Sequence, residues 1–346
     1  QIDDVLSTKQ AGRFDAVFLC IGAQLPRRLE IVSDEKIQML DAVVVLRDTE
    51  LDNPSKLKGH VVVYGGGNTA VDVARTAIRM GAISTTLIVF EAREHMPAHA
   101  FEIEEALEEG VILKCLRSIK QVDGGSVTLE RMRATNERWP EPTGEFESIK
   151  GDVIVQAIGQ DTDVGFLQNL SGVETRDGIA QVNSAMRTGA EGIYAGGDMV
   201  PSIRTVTAAI GHGKKAARNI DAYLRGEKYI PLEKHEVVGF DMLNTWYYTD
   251  APRTVRPMLD VVRRKTGFAE VVGDLDADNA AFEARRCMSC GNCFECDNCY
   301  GVCPDNAITK LGPGKRFEFK YDYCKGCSIC TTECPCGAIK MVPEDI

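Results

Sequence analysis

The 346-residue sequence contains no run of about 18 apolar residues, which excludes a membrane-spanning helix. In an acidic sequence with no secretory signal in view, the thirteen cysteines are expected to be thiols rather than disulfides. Positive charge is short as well: 40 Lys and Arg stand against 51 Asp and Glu, and a formal net charge of −11 speaks against nucleic acid as a partner. Low-complexity tracts are absent, and the only internal repeat is a run of cysteines. Methionine is missing from the start, and Gln1 stands in what reads as a β-rich loop, so an N-terminal portion is expected to precede it. What is present is an ordinary balance of 44 % hydrophobic and 26 % charged residues, enough for two or three domains.

Eleven of the thirteen cysteines lie between Cys287 and Cys336. Read back from Cys303-Pro304, the first run is Cys293, Cys296, Cys299, Cys303 at CxxCxxCxxxCP, and Cys324, Cys327, Cys330, Cys334 with Pro335 repeat it. This is the spacing of a bacterial two-cluster ferredoxin, in which the fourth cysteine of each run ligates the other cluster. One [4Fe-4S] cluster is then expected on Cys293, Cys296, Cys299 and Cys334, the other on Cys324, Cys327, Cys330 and Cys303. A cubane needs four thiolates, and a tight loop with a cysteine every third residue brings three of them to adjacent iron corners. Gly326 lets the backbone turn close to the sulfurs. Zinc is the competing metal, since soft thiolates accept it. Cys287 and Cys290 continue the three-residue step upstream and leave the register open; they are read as not ligating these two clusters. Cys336 is read as a buried thiol beside a cluster rather than a ligand.

Residues 14–22 (FDAVFLCIG) form an apolar run ending in glycine, as a buried parallel strand does, with Cys20 read as core. Residues 152–159 (DVIVQAIG) end alike at Gly159, and the echo of FLCIGAQ in VQAIGQ suggests two equivalent crossings between a pair of nucleotide-binding domains. Between them, GHVVVYGGGNTAVDVARTAIRMG places a β-branched strand before Gly65, Gly67 and Ala70 at GxGxxA, and an amphipathic helix after. Gly65 makes the tight turn, Gly67 lets a pyrophosphate approach, and Ala70 lets helix and strand pack closely. The helix start at Asn68 and Thr69 offers free N–H groups and a favourable dipole. A further strand is predicted over 86–90, and Glu91 after it is placed to bind the adenine ribose hydroxyls of NAD and repel the 2′-phosphate of NADP. Arg75 and Arg93 stand near enough to blur that preference for NAD(H).

A helix over 101–109 and a strand over 111–116 follow, then a polar meander over 117–150 with turns at Gly124-Gly125 and Glu141-Pro142, read as edge decoration. In the later segment a short strand over 192–195 leads to Gly197, Asp198 and a helix from Thr205 and Val206 to Leu224. An aspartate so placed can accept from the ribityl hydroxyls of a flavin, with the helix N-terminus facing its pyrimidine end; an ordinary capped loop is the other reading. His212 is read as a plain helix residue, and Lys214, Lys215 and Arg218 as a solvated face. No catalytic side chain is assigned, because hydride transfer between nicotinamide and flavin is the cofactors' own chemistry.

Taken together, GGGNTAVDVARTAIRMGA, MPA (Met96 to Ala98), IYAGGD and TVTAAIGHGKKAA resemble the small subunit of bacterial glutamate synthase and the flavin segment of dihydropyrimidine dehydrogenase. EARRCMSCGNC resembles the entry into the two-cluster ferredoxin segment of some family members. The resemblance spans nearly the whole sequence. It implies an α/β fold with two Rossmann-like dinucleotide-binding domains of the disulfide-reductase type and a small α+β two-cluster ferredoxin domain. FAD is implied at Asp198 and the Thr205 helix, and NAD(P)H at Gly65, Gly67 and Ala70. The family's first GxGxxG, which holds the FAD pyrophosphate, would precede Gln1, as would its N-terminal cysteine-rich domain. Its NADPH-using members tend to carry arginines where Glu91 and Ala92 stand, and no CxxC lies within the flavin and nucleotide domains, which removes disulfide-reductase chemistry.

The expected segments are 1–55 for the end of the first FAD segment, 56–150 for NAD(P)H, 151–226 for the second FAD segment, 227–286 for a connector and 287–346 for the clusters. The expected cofactor-binding residues are Gly65, Gly67, Asn68, Thr69, Ala70 and Glu91 around the nucleotide loop, and Gly159, Gly197, Asp198, Thr205 and Val206 in the later segment. An NAD(P)H-dependent iron–sulfur flavoprotein follows, in the cytoplasm, delivering electrons to a ferredoxin or another redox subunit. The rivals are the electron-input subunit of a glutamate synthase and a non-catalytic zinc scaffold.

Overall fold

The computed structural model describes residues 12, 14–33, 37–51, 57–135, 139–168, 170–231 and 237–343. The expected β-rich start at Gln1 lies outside the described residues. Two compact units emerge: Gln1–Ile230 with Leu259–Glu270, and Pro231–Met258 with Val271–Ile346.

At the centre of the first unit is a parallel sheet in the order Gln38–Asp41, Val153–Gln156, His60–Tyr64, Ser84–Ile88, Ile112–Lys114. Its central strands His60–Tyr64 and Val153–Gln156 are largely apolar and buried because both faces are covered. Val61 and Val63 face the helix Asn68–Arg79, whose Ala70, Val73, Ala74 and Ala77 are fully buried against them. Val62 and Tyr64 face the other way, toward Val122, Val127 and Leu129. The strand expected over 86–90 is Ser84–Ile88, two residues earlier.

Val122, Val127 and Leu129 belong to the segment read as edge decoration, which the structure shows to be a covering sheet. Arg117–Asp123, Ser126–Arg133 and Glu141–Lys150 form an antiparallel sheet, with Val32–Ser33 added in parallel. Alternate residues are buried, so one side covers the parallel sheet while the charged side meets water. Gly124 and Gly125, at φ +56° and +85°, make the expected turn. Glu141 and Pro142, expected to turn, lie in the strand, paired with Arg133 and Met132. Val153–Gln156, at the start of the expected later FAD segment, is paired on one side with Gln38–Asp41 and on the other with His60–Tyr64.

Val17–Leu19 and Ile193–Ala195 form a separate parallel pair over a core of Leu167, Met199 and Val200. Val17 and Leu19 point into that core, whereas Cys20 falls just past the last ladder residue and is exposed, so it is not core. The two glycine-ended runs do exit side by side: Leu25–Pro26 pairs antiparallel with Gln160–Asp161, and Arg27 bridges Asp161 at 2.6 Å.

Leu259–Glu270, part of the stretch read as a connector, packs on the first unit. Asp260 caps the helix Val261–Thr266. The buried Arg264 donates to the Leu259 carbonyl at 2.6 Å and to Glu108 at 2.9 Å, and its own carbonyl accepts from Arg79 at 3.0 Å.

The second unit has little ordinary core. Among its described residues, Cys299, Ala307, Ile308, Cys334, Pro335 and Cys336 are buried, around the hairpin of Ile308–Lys310 and Phe317–Phe319 and two short helices, Asn298–Val302 and Ile329–Thr332. A unit so poor in aliphatic burial needs a staple, and its cysteines are placed to supply one.

Candidate functional sites: a nucleotide loop, a flavin-type loop and two thiol cages

At the nucleotide loop, Gly65 has φ +148°, and a Cβ on it would fall 2.2 Å from the Ala157 carbonyl oxygen, so only glycine fits. Gly67 stands at the N-cap of the Asn68–Arg79 helix, and the space where its Cβ would be is open. No side chain caps that helix, which leaves its first amides and positive dipole end for an anion. Asn68 accepts from the His99 N–H at 2.9 Å, and the Ala98 N–H donates to the Gly66 carbonyl at 3.0 Å. The MPA segment is thereby fastened to the glycine loop.

Glu91 stands past the end of the Ser84–Ile88 strand, and its Oε2 lies 3.5 Å from where a Cβ on Gly66 would stand. The two arginines that blurred its reading are engaged elsewhere. Arg75 bridges Glu105 at 2.9 Å and the fully buried Glu109 at 2.6 Å, and Arg93 pairs with Glu104. Beside Thr69 opens a cleft of about 590 Å³, lined also by Asp72, Thr76, Gln160 and Phe268. Burial raises the Asp72 carboxyl above its ordinary range against the pull of Arg75 and Arg79. Burial, with the charge of Asp72, raises Glu102 too, whose Oε2 lacks a hydrogen-bond partner. Sequence reasoning missed this carboxyl pair, because only the packing of two helices brings it together.

In the later segment, Gly196 is hemmed in: a Cβ there would meet Phe18 at 2.8 Å and His212 at 3.0 Å. Gly197 has φ +72°, and its N–H donates to His212 Nδ1 at 3.2 Å. His212 is therefore a support of the Asp198 loop, not a plain helix residue. Asp198 is half-buried, and its carboxylate has no partner among the described residues. Thr205 caps the Val206–Leu224 helix by accepting from the Ala208 N–H at 3.2 Å. Around that helix start Ile203, Val206 and Ile210 are 81 %, 78 % and 66 % exposed. A free acceptor beside an apolar surface suits a flavin, with its ribityl hydroxyls and flat ring. Gly159, at φ +113°, ends the nucleotide-sheet strand, and its carbonyl accepts from the Arg27 N–H at 3.0 Å.

In the second unit the cysteines gather around two cavities. One of about 170 Å³ is lined by Cys293, Cys296, Cys299 and Cys334, with Cys336 also in its wall. The other, about 30 Å³, is lined by Cys303, Cys324, Cys327 and Cys330. Each cavity thus takes three cysteines of one run and the fourth of the other. Backbone N–H groups back the crossing sulfurs: Ala307 donates to Cys303 and Ala338 to Cys334, both at 3.3 Å. Glu295 accepts from the N–H groups of Gly314 and Arg316, which lowers its carboxyl and pins the first loop to the hairpin turn. Gly326 has φ +68°, as its close turn requires. Burial pushes the Cys299 thiol up to about 11. Cys287 and Cys290 are exposed and absent from both walls.

The donor set of four soft thiols per cavity fits a cubane. Among the described residues no three Cys, His, Asp or Glu side chains converge as single-ion ligands would. No helix among them is long and apolar enough to cross a membrane.

The chain is similar to several curated oxidoreductase subunits. The NADP(+)-dependent formate dehydrogenase subunit beta of Moorella thermoacetica is 32 % identical over 315 residues, 83 % of this chain and 44 % of the relative. The NADPH-Fe(3+) oxidoreductase subunit beta of Geobacter sulfurreducens is 30 % identical over 330 residues, 80 % and 48 % of the two. The glutamate synthase [NADPH] small chain of Azospirillum brasilense is 30 % identical over 216 residues, 58 % and 44 %. The chain therefore spans about half the length of these curated relatives. Among solved structures, FprA of Mycobacterium tuberculosis in complex with NADPH superposes with a TM-score of 0.51 at 16 % identity, over 64 % of this chain and 67 % of that one. Thioredoxin reductase of Lactococcus lactis gives 0.50 at 22 %, over 61 % and 66 %; at these identities the likeness is one of fold. Residues 292–338 match the 4Fe-4S dicluster domain and residues 3–213 the pyridine nucleotide-disulphide oxidoreductase family. With well over half its length in that match, the chain belongs to the pyridine nucleotide-disulphide oxidoreductase family and carries a 4Fe-4S dicluster domain behind it.

Proposed function

We propose that the chain is an electron-transfer module linking NAD(P)H, FAD and two [4Fe-4S] clusters to a ferredoxin or another redox subunit. The observation that carries this reading is the pair of thiol cages, each completed by a cysteine of the other run, on a chain that also holds an open nucleotide loop. When bound, nicotinamide supplies a hydride, flavin divides the pair into single electrons, and the clusters carry them onward in either direction. The protein's own part is to seat these groups. Gly67 and the uncapped helix receive the pyrophosphate, Asp198 the ribityl hydroxyls, and the eight cysteines the irons. Two of the relatives are named as beta subunits, which favours a larger assembly; labile clusters favour the cytoplasm.

For the nucleotide, NADH is the preferred donor in this reading. Glu91 borders the glycine loop, and Arg75 and Arg93 are held by carboxylates rather than free for a 2′-phosphate. The names of the relatives specify NADP(+) or NADPH, so the preference would be this chain's own.

Iron, acid-labile sulfide and flavin content of the anaerobically purified chain, with spectra before and after NADH, test the proposal. About eight irons and bleaching by NADH are expected; a colourless zinc protein would overturn it. The likeness to a glutamate synthase small chain favours one second reading, the electron-input subunit of that enzyme. Production of glutamate from glutamine and 2-oxoglutarate, when a large subunit is added, would establish it.

A further inference from the structure

The two thiol cages differ at one position. Two residues past Cys334 stands Cys336, while two residues past its counterpart Cys303 stands Asp305. Both line the cavity of their own half. Asp305 is occupied, bridging Lys325 at 3.2 Å. Cys336 is not: it is 2 % exposed, and its sulfur has Cys334, 3.9 Å away, as its neighbour.

Its backbone is pinned in place. The Cys336 carbonyl accepts from the Gly291 N–H at 2.6 Å, and a Cβ on Gly337 would fall 2.7 Å from Val238 and 2.8 Å from the Met242 carbonyl. At the matching place in the other half stands Asn306, so the two halves differ at both positions.

We propose that Cys336 is a fifth, exchangeable thiol ligand of the cluster held by Cys293, Cys296, Cys299 and Cys334, taking the iron corner that Cys334 gives up. The inference rests on the iron–sulfur reading of these cages. One iron–sulfur bond forms and one breaks, and the Cys336 proton passes to the released Cys334 thiolate. The exchange is redox-neutral and needs no co-reactant. The second cage has no equivalent, since its corresponding residue is a carboxylate held by lysine.

The test compares the full chain with C336A, C334A and C334A/C336A, purified anaerobically, by iron, acid-labile sulfide and electron paramagnetic resonance. The wild type and C336A are expected to hold about eight irons. C334A keeps about eight with a shifted reduced-state spectrum, and the double variant loses its first cluster or retains a three-iron remnant visible when oxidised. C303A, which has no spare thiol in its cage, loses the second cluster instead, or retains a three-iron remnant of it. Equal iron and equal spectra in C334A and C334A/C336A overturn the proposal. Should C334A lose both clusters by misfolding, C334V, whose side chain is nearer the thiol in size and cannot ligate iron, is set against C334V/C336A and decides on the same criterion. Absence of acid-labile sulfide in the wild type would instead sink the cluster reading itself.

Discussion

The imidazole of His212, inside the long Val206–Leu224 helix, accepts the N–H of Gly197 at 3.2 Å through Nδ1. Its proton therefore sits on Nε2, and the ring braces the turn that presents Asp198. In His212→Ala that N–H loses its acceptor, at a cost of about 1 kcal/mol. FAD titrated into the apoprotein should then bind about fivefold more weakly, while Lys214→Ala leaves binding unchanged. Equal affinity in wild type and His212→Ala would remove the bracing role.

Much of this was legible in the sequence where chemistry is local. GxGxxA after a β-branched run fixes a strand, a turn and a helix within 20 residues, and the cysteine spacing states its own partners. What could not be read depends on chain segments far apart. Glu109 looks like any surface glutamate on an amphipathic helix, yet Arg75 and Arg79 bury it completely. The polar pattern of 117–150 is that of a sheet wet on one side, and only the parallel sheet beneath it shows why the other side is apolar. Cys20 failed for the opposite reason: an apolar run outlasts the strand it contains, since Leu19 is the last residue with a ladder partner.

Gly65 and Gly67 should separate folding from binding. In Gly65→Ala the new methyl meets the Ala157 carbonyl at a φ that alanine avoids, so a loss of about 1–3 kcal/mol is expected from overpacking alone. Gly67→Ala meets nothing, and its melting temperature should stay near wild type while the KM for NADH rises, because in the proposed site the methyl would stand where the pyrophosphate approaches. Thermal melts and dye-reduction kinetics on both variants check this; a Gly67→Ala protein with unchanged KM would show that the loop does not hold the nucleotide.

Glu283 joins the Ala277–Arg285 helix to the segment before it. Arg286 donates to its carboxylate at 2.8 Å, and the Thr254 hydroxyl and N–H at 2.5 and 2.8 Å, lowering its pKa from 4.5 to about 2. A depressed carboxylate stabilises the fold above its unfolded value, and that contribution is lost as pH falls from about 4.5 toward about 2. In urea unfolding, Glu283→Gln should therefore show a lower midpoint than wild type at pH 7, with the gap shrinking below about pH 4.5. A gap independent of pH would mean that the carboxylate charge contributes nothing.

Glu91 gives the sharpest test of nucleotide choice. Its carboxylate beside Gly66 would accept from the ribose hydroxyls of NADH and repel a 2′-phosphate, and Arg75 cannot offset it while bound to the buried Glu109. Glu91→Arg reverses the sign of the charge at that point and leaves the glycine loop untouched. Its kcat/KM for NADH should fall, and that for NADPH rise, by about tenfold each, or about 1.4 kcal/mol. Glu91→Ala should fall between, losing the hydrogen bonds and the repulsion together. Because the phosphate carries the discrimination, the NADPH rate of Glu91→Arg should also drop with added salt, while its NADH rate should not. If the wild type already prefers NADPH and Glu91→Ala alters neither rate, specificity lies in residues beyond this strand end, and the arginines paired to Glu104 and Glu109 would have to exchange partners to supply it.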